Sequence, residues 1–151
     1  MNWDPMRMHY SNGILTICCS ECGHAHEVPM TQDQLDALMM GKDLIQNILP
    51  DTDPATREVF KTGWCEVCFL LKTQAITNGK LYEILKALRD ISECPEELEY
   101  IWENRLKEDF DVNDAIISLL EDAEWYDGVD NEKWQKAIDN VRAKIITVMM
   151  S

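Results

Sequence analysis

Two cysteine pairs constrain this chain more than any other feature. Cys19-Ser-Glu-Cys22 and Cys65-Glu-Val-Cys68 are separated by 42 residues. A C-x-x-C turn aims two sulfurs at one point, and two such turns supply the four thiolates of a closed tetrahedral zinc site. Segments far apart in sequence must then meet in space, and the expected fastening is one structural Zn2+ on Cys19, Cys22, Cys65 and Cys68.

Other chemistries of this spacing fail on the flanking residues. A c-type haem site needs His after the second cysteine, where Gly23 and Phe69 stand. A zinc deaminase needs H-x-E and then P-C-x-x-C; here His26-Glu27 lacks the spacer and Trp64 replaces the proline. A redox dithiol needs a βαβ context, which the pattern around neither pair offers. Catalytic zinc keeps a coordination position for water, whereas four thiolates close the shell. The motif is therefore expected to be structural. His24 and His26 flank the first pair on one face of a strand and are expected to stand behind the ligands, one donating to a sulfur. Cys18 lacks the two-residue spacing to Cys22. Cys94 precedes Pro95 at a helix start, where a thiol pKa can be lowered, but no base is committed to it.

Paired spacing among six cysteines reads as metal binding in a reducing compartment rather than as three disulfides. No basic start followed by an apolar block opens the chain, and its apolar runs are short. These features predict a cytoplasmic protein without a membrane partner. Charge narrows the partners further. With 28 acidic against 14 basic residues the net charge is −14, so direct nucleic-acid binding is disfavoured.

Along the chain, residues 1–13 read as a loosely held arm with a turn at Asn12-Gly13. Ile14–Cys18 and His24–Met30 form a hairpin with the first cysteine pair at its tip. Thr31 and Gln34 make a capping box for a helix that stops at Gly41. Asp53-Pro54 opens another, ended by Gly63, and a helix from the second pair runs to about Thr77. Beyond Asn78-Gly79 the periodicity becomes helical. Leu81, Ile84, Leu85, Leu88 and Ile91 make one stripe. Leu98, Ile101, Trp102, Leu106 and Phe110 make a second, after Pro95. Val112, Ala115, Ile116, Leu119 and Leu120 follow, with Asp111 or Asn113 as cap, and Trp134, Ala137, Ile138, Val141, Ile145 and Val148 make the last. The expected fold is mainly α with a small β-hairpin: a four-cysteine zinc module (1–78) packed on a C-terminal helical bundle (79–151), fused into one compact unit.

One stretch is dense in acids and holds no base. Glu121, Asp122, Glu124, Asp127, Asp130 and Glu132 surround Trp125 and Tyr126. The EF-hand ladder is missing, so calcium is not implied. The candidate partner-binding set is Glu121, Asp122, Glu124, Trp125, Tyr126, Asp127 and Asp130, set against the bland alternative of a solvated loop.

Residues 17–69 resemble small zinc-ribbon-like proteins of uncharacterised function encoded by bacteriophages and their hosts. The resemblance rests on Cys19-x-x-Cys22-Gly23-His24, Val28-Pro29, Thr31-x-x-Gln34-Leu35, Leu44-Ile45-Gln46-x-x-Leu49-Pro50, Arg57-Glu58 and Gly63-x-Cys65-x-x-Cys68. It implies zinc on the four cysteines and a phage origin, with no activity attached. No nucleophile–base pair stands out, so the expectation is a non-enzymatic binding protein. It would dock an acidic surface on a host protein, such as a nucleic-acid-handling or defence factor, and modulate it. The alternatives are a DNA mimic using its carboxylates, and an assembly subunit forming a homo-oligomer through exposed Met and aromatic residues.

Overall fold

The computed structural model describes residues 3–126 and 131–151. The chain is mainly helical with a small antiparallel sheet. It forms two compact units, Met1–Glu66 and Val67–Ser151.

In the first unit, strands β1 (Met8–Ser11), β2 (Ile14–Cys18) and β3 (Ala25–Pro29) lie in the order β1-β2-β3. The segment expected to be a loose arm thus supplies a third strand. Asn12 and Gly13 both adopt positive φ, 54° and 74°. Such a two-residue turn matches the twist of paired strands and folds β1 back onto β2. The register pairs Met8 with Ile17 and Tyr10 with Leu15; across β2, Leu15 pairs with Val28 and Ile17 with His26. Met8, Leu15, Ile17 and Val28 are buried on that shared face.

Helix α1 (Gln32–Met40) opens with the expected capping box. Thr31 Oγ1 accepts from Gln34 N–H at 3.1 Å, and Gln34 Oε1 accepts from Thr31 N–H at 2.8 Å. It closes at Gly41, which is left-handed. The short α2 (Ile45–Ile48) follows Asp43, whose carboxylate accepts from Asn47 and from Leu44 N–H and is held below the usual range by those bonds, the Asn47 bond foremost. Helix α3 (Pro54–Thr62) has Asp53 as N-cap and Gly63 as its left-handed C-cap, both as expected.

The second unit contains α4 (Glu66–Thr73, whose first residue belongs to the N-terminal unit), α5 (Asn78–Leu88), α6 (Pro95–Asn104), α7 (Val112–Glu124) and α8 (Asn131–Met149). Ile84, Leu88, Ile116, Leu120, Ile138 and Ile145 are almost fully buried, which confirms the apolar stripes of these helices. Helix α4 ends at Thr73, short of the expected Thr77. Asn113 Nδ2 donates to the carbonyls of Leu71 and Gln74, supplying partners at that end. Asp111, not Asn113, caps α7.

The expected stripe after Pro95 is also interrupted. Asn104 Nδ2 takes the Tyr100 carbonyl at 2.7 Å and Arg105 Nη1 takes that of Trp102 at 2.6 Å, so side chains satisfy the last turn of α6. Leu106 then lies exposed, while Phe110 packs edge-on against Tyr100.

Candidate metal centre

Each cysteine pair sits where two kinds of backbone change over. The first follows β2 directly. Cys19 N–H donates to the His24 carbonyl at 2.9 Å and Gly23 N–H to the Cys19 carbonyl at 3.0 Å, closing a tight turn. Gly23 allows it by taking φ of 76°. The second pair begins two residues beyond Gly63 and enters α4, with Cys68 in the helix's first turn. Amides at a helix N-terminus favour negative charge, so this position suits a thiolate.

The four sulfurs converge. Cys19, Cys22, Cys65 and Cys68 are all buried, and their Sγ atoms lie within 4.8 Å of one another. Cys22 Sγ and Cys65 Sγ are 3.7 Å apart. A zinc–thiolate bond of about 2.3 Å in a regular tetrahedron gives sulfur–sulfur edges of about 3.8 Å. The cluster therefore has the dimensions of a four-sulfur metal site and could hold a metal ion. Cys19 Sγ accepts two amides, from Glu21 at 3.4 Å and from Cys65 at 3.3 Å. Such N–H···S bonds stabilise the charged sulfur and fix its direction.

The Gly63 carbonyl ties the first pair to the second. It accepts from Ser20 N–H at 2.8 Å, Ser20 Oγ at 3.0 Å and Arg7 Nη2 at 3.5 Å. Arg7 Nε also donates to the Cys18 carbonyl at 3.1 Å. A guanidinium thus stands beside backbone that leads into both pairs, where four thiolates around a divalent ion would leave about two negative charges. At Gly63 an added Cβ would lie 3.3 Å from both Arg7 Nη2 and Ser20 Oγ, a tight approach, and φ of 83° is a backbone conformation that L side chains rarely adopt.

Arg7, Ser20 and Gly63 were not singled out in the sequence as site residues. The available signal was Asn12-Gly13, flanked by Met8–Ser11 and Ile14–Cys18, which marks a hairpin and brings Arg7 to Cys18.

His24 and His26 stand edge to face with ring centres 5.1 Å apart. Neither belongs to the sulfur cluster. The His24 carbonyl, already described, supports Cys19. His26 Nε2 is shielded from solvent and finds no hydrogen-bond partner among the described residues. Cys18 lies on β2, one residue before the cluster, and pairs with Ala25.

Cys94 is exposed, and its pKa is shifted opposite to the sequence expectation. Its thiol donates to Glu96 Oε2 at 3.1 Å, and this bond raises the thiol pKa while lowering that of Glu96. The neighbouring carboxylate outweighs the amides of the helix start.

The candidate partner-binding residues divide. Glu121, Asp122 and Trp125 are exposed, Trp125 by 76%. Glu124 instead approaches Arg142 Nη1 at 3.9 Å, and both side chains are nearly buried. Tyr126 packs edge-on against Trp134 at 5.3 Å. Asp127 and Asp130 lie outside the described residues.

No helix among the described residues is long and apolar enough to cross a membrane. No family model, curated protein or solved structure matches the chain.

Proposed function

We propose that the four-cysteine cluster binds one structural zinc ion, and that the chain is a non-enzymatic protein that docks an acidic surface on another protein. The observation that carries the metal reading is the closed set of four buried sulfurs with a 3.7 Å edge. Zinc favours such a thiolate tetrahedron, and a filled shell leaves no position for a reacting water. The absence of an open coordination position supports a role in holding structure rather than in catalysis.

The docking reading rests on charge and on Trp125. A net charge of −14 works against nucleic acid and favours a basic protein surface. Exposed Trp125 beside Glu121 and Asp122 provides an aromatic anchor with an acidic rim, the composition of an interface centre. In the phage setting suggested by the resemblance, the partner is a host protein that handles nucleic acid or acts in defence.

Elemental analysis with a thiol count tests the first part. One zinc per chain with reduced cysteines is expected; disulfides with no metal would overturn it. For the second, partner capture by the wild type is compared with capture by Trp125→Ala and by Glu121→Lys with Asp122→Lys. Loss of one and the same partner from both variants is expected. Retention by both removes this surface from the reading, and displacement by duplex DNA identifies phosphate mimicry.

A further inference from the structure

We propose that the groove between α5 and α6 is a self-association surface, on which a second copy of this chain docks about a two-fold axis running along the groove. The groove encloses about 580 Å³. Leu85 and Leu98, themselves nearly buried, form its floor, and Trp102, with the Arg105 guanidinium 3.9 Å over its ring, forms part of a wall. Tyr82, also in the lining, is 57% exposed although its ring packs against Trp102 at 6.2 Å. An exposed aromatic ring at the mouth of an apolar groove is a feature of interaction sites.

The two walls carry opposite charge. Lys86 and Arg89 stand on the α5 side, and Glu99 and Glu103 on the α6 side. Among the described residues none of the four is joined to an opposite charge. This pattern selects both the occupant and its orientation. Rotation about an axis along the groove lays the α5 wall of one copy over the α6 wall of the other, so both cationic pairs meet glutamate pairs. An axis across the groove would set α5 against α5 and like charge against like. Two copies of a chain at −14 repel at long range, so close approach requires local complementarity of this sort. The four charged residues supply it without any further partner.

Sedimentation velocity on the full-length, metal-loaded protein tests the proposal. The wild type is expected to dimerise. Lys86→Glu with Arg89→Glu makes both walls acidic, and Glu99→Lys with Glu103→Lys makes both basic. Each pair of changes is expected to weaken self-association by about tenfold or more. An equimolar mixture of the two variants is expected to restore the dimer, because acidic walls then face basic ones on both sides. Exposed Tyr82→Ala gives an independent loss, and unchanged helical circular dichroism shows that each variant folds. A wild type that stays monomeric at several hundred micromolar would overturn the proposal. So would folded charge variants that dimerise like the wild type, or a mixture that remains monomeric.

Discussion

Helices α5, α7 and α8 bury four, four and six residues, while α1, α2 and α3 of the N-terminal unit bury two, none and two. Length sets much of this contrast. Helix α8 has 19 residues and α2 has four. Each fully buried Leu or Ile contributes about 1.5–3 kcal/mol, so a long helix with a continuous apolar stripe can offset the entropy of its own ordering. A three-stranded sheet with short helices has less apolar area to remove from water and needs a staple. Cys19 and Cys22 stand in the turn between β2 and β3, and Cys65 and Cys68 at the start of α4. One region is held by area, and the other would, on the zinc reading proposed above, be held by coordination.

On the proposed zinc reading, the largest break in that contrast is expected from metal removal. Structural zinc contributes on the order of 10–16 kcal/mol, more than a unit of this size holds in reserve. Chelation is expected to expose the β2 amides of Ile14–Cys18 to hydrogen exchange while those of α5 and α8 stay protected. Protected β2 amides in metal-free protein would show that the sheet stands by itself. Conversely, Ile145→Ala should cost about 2–5 kcal/mol by thermal or urea unfolding of the C-terminal unit, with metal stoichiometry unchanged. A drop in bound metal would mean that the two kinds of stabilisation are not separate.

The pair of Glu124 and Arg142 sharpens the picture within the helical unit. Arg142→Met removes the guanidinium from a carboxylate that is itself nearly buried, and about 3 kcal/mol of destabilisation is expected. Adding Glu124→Leu should recover most of it, which equilibrium unfolding of the double variant would read. Thr31→Ala removes one half of the α1 capping box and should cost about 1 kcal/mol, confined to the N-terminal unit. The smallest expected effect is chemical. Glu96→Gln takes away the carboxylate that holds the Cys94 proton, so the thiol pKa falls and more thiolate is present at any pH below the wild-type value. Alkylation of Cys94 should quicken by about twofold or more, and an unchanged rate would deny the Glu96 contact in solution.

Much of this architecture was legible because its signals are local. Thr31 with Gln34, Asp53 with Pro54, Gly41 and Gly63 each mark a helix end through a contact made within a few residues. The cysteine spacing carried the one long-range statement, since metal geometry restricts what four sulfurs can do. Strand β1 is not legible although its turn is, because Met8-His9-Tyr10-Ser11 is too short and too polar to register as a strand without its partner. Glu124 could not be separated from Glu121 and Asp122 by sequence, since its pairing with Arg142 depends on how α8 meets α7. The Gly63 carbonyl was invisible for the same reason: a backbone oxygen has no letter of its own, and its three donors come from Arg7 and Ser20.

The separation of the two cysteine pairs also sets an order in time. Cys22 and Cys65 lie 43 positions apart, so at about 5–20 residues per second a ribosome needs roughly 2–9 s to deliver the second pair after the first. During that interval Cys19 and Cys22 are the two cluster sulfurs already synthesised. An ion captured there would have half its thiolate shell filled and the rest open to exchange. The last sulfur to arrive, Cys68, is the one that ends that exposure, and it is carried in by the first turn of a helix.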